Sequence, residues 1–263
     1  MKQTELRMLR AACITVVLLA AGHSHAQNPP PAAEPTPEFL SITVVSVKPE
    51  MVTEFQNFVK NTTNPALKKA GVKWRDMWQS TPVSGDAFEY VIVAPVEKFG
   101  QYDGPGPLEK GLGGAQAFAA WQTKASTLVN SVRRYIIRTR PELSFMAKRA
   151  GPPKLAVITS VHVAPNRNAE FENFVKNELT PVMKQAQVSY LVSQTIFGGD
   201  ANEYISLTLR DTFTDLDKGP VVVQVLGQEG ADKLLQKLPA GVVTNVERSL
   251  TRYVPELSIA PAQ

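Results

Sequence analysis

An eight-residue string occurs twice in this chain. Residues 54–61 read EFQNFVKN and residues 170–177 read EFENFVKN, so seven of eight positions are identical and only Gln56 and Glu172 differ. A second string, PELS, occupies 141–144 and returns at 255–258. Two separated matches in the same order mean that the repeated unit spans about a hundred residues, not one helix, and the chain is expected to fold as one unit written twice.

Ahead of the repeat, Lys2, Arg7 and Arg10 precede an apolar run from Ala11 to Gly22, which is too short to span a bilayer, and Ser24-His25-Ala26 offers the small residues of a cleavage site. Residues 1–26 are therefore expected to be a signal peptide cut after Ala26, leaving a periplasmic or secreted protein with no stable membrane insertion. Residues 27–37 (QNPPPAAEPTP) read as a Pro-rich linker. Cleavage would remove Lys2, Glu5, Arg7 and Arg10, taking the formal charge from +4 to +2, so no nucleic acid or other polyanion partner is implied. It would also remove Cys13, the sole cysteine, and two of the three histidines, leaving His162. The mature chain is expected to carry no disulfide, no metal and no cofactor.

Hydrophobic spacing gives the same order of elements twice. Strand 41–47, a helix from Pro49 through Asn61 extended to Ala70, hairpin strands 72–79 and 88–94, a Gly/Pro-rich loop 100–114, helix 115–130 and strand 132–140 are matched by strand 156–163, helix 168–186, strands 189–196 and 203–209, helix 228–238 and strand 244–253. The order βαββαβ predicts an α+β chain of two tandem ferredoxin-like domains, 38–146 and 154–260. Alternation along the strands places Val45 and Val47 on a helix-covered face. The opposite, mixed face is expected to hold Ser46, His162, Tyr90 and Tyr204, and two such faces are expected to cover each other.

Val47-Lys48-Pro49 with Glu54-Phe55, and Val163-Ala164-Pro165 with Glu170-Phe171, resemble the antibiotic-biosynthesis-monooxygenase group of dimeric α/β barrels across nearly all of both halves. The resemblance implies two ferredoxin-like units packed sheet to sheet, here as an intramolecular pseudo-dimeric α/β barrel. Members that oxidise aromatic substrates or open haem commonly use an Asn, Trp and His set with the His on a helix. Here neither long helix of the mature chain carries a histidine, so cofactor-free oxidation in an apolar cavity is what the resemblance leaves.

Few residues stand out for chemistry. Gly100-Gln101-Tyr102-Asp103-Gly104 fits the G-x-x-D-G pattern of dye-decolourising peroxidases, but the second copy of that loop reads Thr214-Asp215-Leu216-Asp217-Lys218, which favours a shared loop over haem binding. His162 is expected to be satisfied locally, with no carboxylate placed beside it by sequence. Glu89-Tyr90 and Glu203-Tyr204 fit a turn followed by a cross-strand pair. Arg134, Arg138 and Arg140, with Arg248 and Arg252 as equivalents, form a row expected to be a solvated sheet edge, and able to hold an anion. Trp74, Trp78 and Trp121 read as core or interface aromatics. The expectation is an exported protein that binds a small apolar or aromatic ligand near His162, Tyr90, Tyr204, Ser46, Arg138 and Arg252, without catalytic apparatus. The rivals are a cofactor-independent monooxygenase and an envelope structural or interaction module; the module predicts a filled interior, whereas ligand binding and oxidation both predict a closed cavity beside Tyr90, Tyr204 and His162.

Overall fold

The computed structural model describes residues 37–149 and 151–260. The signal-peptide segment and all but the last residue of the Pro-rich linker lie outside them. Eight strands, β1 (Phe39–Val47), β2 (Asp76–Ser80), β3 (Glu89–Val96), β4 (Val129–Thr139), β5 (Leu155–Val163), β6 (Tyr190–Phe197), β7 (Glu203–Arg210) and β8 (Val243–Tyr253), form one closed barrel in the order β1-β3-β2-β8-β5-β7-β6-β4. Every neighbouring pair is antiparallel. The chain is thus a mixed α+β fold around an eight-stranded barrel.

Helices pack on the outside of the barrel. α1 (Val52–Phe58) runs through a π-helical turn, Val59–Thr63, into α2 (Asn64–Lys69), and α5 (Asn168–Phe174) runs through Val175–Leu179 into α6 (Thr180–Gln185). The repeated octapeptide is the start of this bent helix. Its shared aromatic and valine positions turn inward, with Phe55, Val59, Phe171, Phe174 and Val175 buried against the strands. The Gly/Pro-rich loop contains α3 (Pro107–Leu112), which leads into α4 (Ala115–Leu128). In the second half, α7 (Thr214–Asp217) is followed by α8 (Val221–Leu235), broken at Gly227.

The halves join along two short seams. β2 pairs with β8 from Trp78↔Tyr253 to Ser80↔Thr251, and β4 pairs with β6 from Ile136↔Phe197 to Thr139↔Ser193. At the second seam Gly198 has φ +84, and a Cβ there would lie 2.5 Å from the Arg134 carbonyl oxygen, so the backbones meet only because this residue has no side chain.

The PELS repeat has a role that crosses these seams. In each copy the Pro-Glu-Leu turn buries its leucine in the other half: Leu143 joins the core under α5 and α6, and Leu257 joins the core under α1. The following serine accepts a hydrogen bond from the other half's strand, Val192 N–H to Ser144 Oγ and Met77 N–H to Ser258 Oγ, both at 2.9 Å. A helix side chain of that other half also donates to the leucine carbonyl, Thr180 Oγ1 to Leu143 O at 2.8 Å and Asn64 Nδ2 to Leu257 O at 2.9 Å. Each half therefore lends its C-terminal arm to its neighbour.

Candidate functional site

Aliphatic side chains from both halves project into the barrel lumen. Ile42, Val44, Ile137 and Ile205 form one cluster with Leu40, Val91, Val93, Tyr135, Ile158 and Leu207, drawing on both halves. Next to it Trp78 packs on Ala156 and Leu209, with the Tyr253 ring centroid 5.2 Å away. One end of the lumen carries Asp76, whose carboxylate accepts from the Tyr253 hydroxyl at 3.3 Å, and the other end is more polar. There the Glu89 carboxyl is raised, chiefly by burial, and Thr195 Oγ1 and the Ser160 hydroxyl donate to Glu203. Tyr135 lies between them, its phenol pushed up to about 12 by burial and then by the Glu203 charge. His162 and Ser46, which occupy matching positions, face this end and both meet a turn aspartate: His162 Nδ1 is 3.2 Å from Asp200, and Ser46 Oγ donates to Asp86 at 3.4 Å. The carboxylates that the sequence could not place beside His162 come from the hairpin turn, which brings Asp200 to it, and from strand pairing, which sets Glu203 opposite it.

Tyr90 and Tyr204 do not face the lumen. Val45 pairs with Tyr90 and Val161 with Tyr204, so each tyrosine shares the helix-covered face, and the inward residues of those strands are Val91, Val93, Ile205 and Leu207. The face assigned to β3 and β7 from sequence was out of phase by one residue, which in a strand inverts every side chain. Each ring packs on the repeated phenylalanine of α1 or α5, Phe55–Tyr90 at 5.0 Å and Phe171–Tyr204 at 4.8 Å. Each hydroxyl reaches the one position where the octapeptides differ. Gln56 Nε2 donates to Tyr90 Oη at 2.9 Å, whereas Tyr204 Oη donates to Glu172 Oε1 at 2.5 Å, and Glu172 is also bound by Arg140. The residue matching Arg140 in the other half is Val254. A carboxylate stands where a guanidinium can pair with it, and a neutral amide stands where the cation is missing.

The arginine row is on the outer face, but it is no sheet edge over its lower half, because β4 and β8 are closed into the barrel there. Arg138 pairs with Glu38 at 2.9 Å, Arg140 with Glu142 and Glu172, and Arg252 donates to Gln79 Oε1 at 2.7 Å. These contacts leave Arg138 and Arg252 as surface anchors, far from His162 in the strand register. Trp121 is partly buried, stacked between Phe58 and Phe118 and donating to Thr63 Oγ1 at 3.0 Å.

The structure opens a cleft elsewhere, of about 370 Å³, lined by Ser41, Phe99, Tyr102, Arg134, Ile136 and Phe197 among others. It sits outside the barrel where β6 ends against β4. Phe99 contacts Phe39 at 5.1 Å and Phe197 edge-on at 5.7 Å, yet Phe99, Tyr102 and Phe197 are 41%, 56% and 59% exposed. Single exposed apolar residues are ordinary, whereas three aromatics converging on one cleft beside an arginine are not. Sequence reasoning took Tyr102 only as part of a loop motif and passed over Phe99 and Phe197, because the cleft is assembled across a seam between halves. Arg134 was seen in the row, though not its aromatic company. A second pocket of about 320 Å³ runs along α5 between Asn173, Asn177 and Pro239 and is crossed by the Glu178–Lys237 ion pair.

No protein-family model matches the chain, and no curated protein sequence is significantly similar to it. Solved structures are similar in fold. A Lactobacillus acidophilus protein assigned provisionally as a monooxygenase superposes with a TM-score of 0.55 at 9% identity, over 85% of this chain and 97% of its own. An anthrone oxidase-like protein gives 0.51 at 13% identity over 82% and 91%. A chlorite dismutase variant from Candidatus Nitrospira defluvii gives 0.53 at 9% identity over 84% and 94%. At these identities the likeness is one of fold, and it places the barrel with the dimeric α/β barrel type.

Proposed function

We propose that the chain is an exported, non-catalytic binding module made of two tandem ferredoxin-like halves, 38–146 and 154–260, whose cleft at Phe99, Phe197 and Arg134 takes an aromatic group bearing negative charge. The cleft carries this reading. Its walls are largely aromatic, its one charged group is a guanidinium beside the hydroxyl-bearing Ser41, Tyr102 and Tyr135, and Arg134 has no ion-pair partner among the described residues, in contrast with Arg138 and Arg140. Cation–π contact and ion pairing both favour an anionic aromatic there.

The Lactobacillus acidophilus protein provisionally assigned as a monooxygenase and the anthrone oxidase-like protein support the rival, a cofactor-independent monooxygenase. One probe separates the two. The fluorescent anion 1-anilinonaphthalene-8-sulfonate is expected to bind the folded protein, with affinity falling about tenfold, or about 1.4 kcal/mol, in Phe99→Ala and Arg134→Gln and unchanged in His162→Ala. Equal affinity in all four proteins would remove the cleft from the proposal. Oxygen consumption with an anthrone as substrate is expected to stay at the uncatalysed rate, and sustained turnover would restore the monooxygenase.

A further inference from the structure

The barrel closes over only part of its height. β4 pairs with β1 along its whole length, but with β6 only from Ile136 onward, so the β6-facing side of Val129–Tyr135 has no strand beside it among the described residues. Five consecutive residues, Asn130–Arg134, are exposed on both faces of that ribbon, an unusual state for the strand of a closed barrel. The cleft lies where the open edge begins, with Phe197, the last residue of β6, forming one wall and Arg134–Ile136 another. A strand added here would take up the line of β6 where β6 stops. It would find unpaired backbone N–H and C=O groups in front of it and an aromatic cavity at its start.

We propose that this edge docks an extended, acidic segment of a partner protein by strand addition, with one aromatic side chain of that segment seated in the cleft. The inference rests on the cleft reading above and names its occupant. Backbone pairing supplies affinity in such complexes and side-chain pockets supply specificity. Charge selects the partner: Arg133 and Arg134 stand on successive residues of the edge, on opposite faces, and neither lies within ion-pair distance of a carboxylate among the described residues, although Arg133, on the inner face, acts on the charge of Glu89. The same charges disfavour a second copy of the chain pairing β4 to β4, because two edges of the same charge would be brought together. The matching open stretch of β8, Thr244–Arg248, carries Glu247 beside Arg248 and so lacks this bias.

The test uses the whole protein and a labelled peptide of about seven residues alternating Glu and Thr around one Phe, read by fluorescence anisotropy. The expected result is binding at least about tenfold tighter than for the same peptide with Lys in place of Glu, or with alternate backbone nitrogens methylated to remove donors. The Arg133→Glu/Arg134→Glu protein, whose altered side chains are exposed, is expected to keep its thermal midpoint and to reverse the charge preference. Acidic and N-methylated peptides binding alike would overturn strand addition, as would concentration-dependent self-association abolished by the same double substitution. If the anilinonaphthalene probe binds in the cleft and the peptide does not, this inference falls while the cleft reading stands. If neither binds, both fall.

Discussion

Glu172 shows how much one position can decide. Its carboxyl is held below the usual 4.5, chiefly by the hydrogen bond from Arg140, with burial opposing and Tyr204 adding a second donor. The phenol of Tyr204 is raised in turn, by burial first and then by that carboxylate. A group with a depressed folded value stabilises the fold above its unfolded value and loses that stabilisation as pH falls through the folded one. Glu172→Gln is therefore expected to cost about 1 kcal/mol at pH 7, a figure kept small for solvent screening of a pair that is only partly buried. The gap to the native protein should close as pH drops below about 4.5, and denaturant melts at pH 7 and pH 3 read it directly. A constant gap at both pH values would mean the ion pair is irrelevant. The reciprocal change Gln56→Glu should destabilise at neutral pH, since Val254 offers no cation, and Val254→Arg in the same chain should recover part of the loss. The sequence displays the Gln/Glu difference openly, yet its meaning requires Arg140, which comes from the other half of the chain.

Elements were legible where the signal is local. The octapeptide's spacing of Phe55, Phe58 and Val59 marks a helix, and the helix is there, although the π-helical turn that carries it past Pro65 leaves no mark in a hydrophobic pattern. Strand faces were half legible. In β1 and β5 the aliphatic positions Val45, Val47, Val161 and Val163 lie under the helices as expected. In β3 and β7 the tyrosines were assigned to the mixed face for their hydroxyls, and the helix face accommodates them because Gln56 and Glu172 accept or supply the hydrogen bond there. Seams between distant strands have no local signal at all. Gly198 is the residue on which one seam depends, and Gly198→Ala is expected to cost about 1–3 kcal/mol, combining left-handed backbone strain with a clash against Arg134 O. Faster hydrogen exchange at Ile136–Thr139 than at β1 and β5 would locate the damage. A thermal midpoint equal to the native one would show that β4 and β6 can separate without cost.

At the scale of the whole molecule, the two halves are interlocked more deeply than two sheets laid face to face. Half 38–146 builds its helix-side core from Val45, Phe55, Met77, Tyr90 and Leu128 together with Val254 and Leu257, which belong to the other half. It exports Leu143 in exchange. The repeated PELS string, visible in the sequence as a boundary marker, is the clasp of this exchange, and nothing in one linear copy could disclose that its leucine packs under the other copy's helix. Residues 38–146 alone would lose both borrowed residues, bare the lumen side chains Ile42, Val44, Val91 and Ile137, and present Leu143 to water. The isolated half is therefore expected to be a two-fold dimer that restores the arms reciprocally, or an aggregate, and sedimentation should find no stable monomer. In the full chain, Leu257→Ala is expected to cost about 2–5 kcal/mol although it lies some two hundred residues from the core it fills, and Tyr90→Ala should damage that same core. Val91→Ala, by contrast, should loosen the lumen shared by the halves. A folded, monomeric half-domain, or a full-length Leu257→Ala protein as stable as the native one, would show that the halves fold independently and that the exchanged arms are ornamental to the barrel.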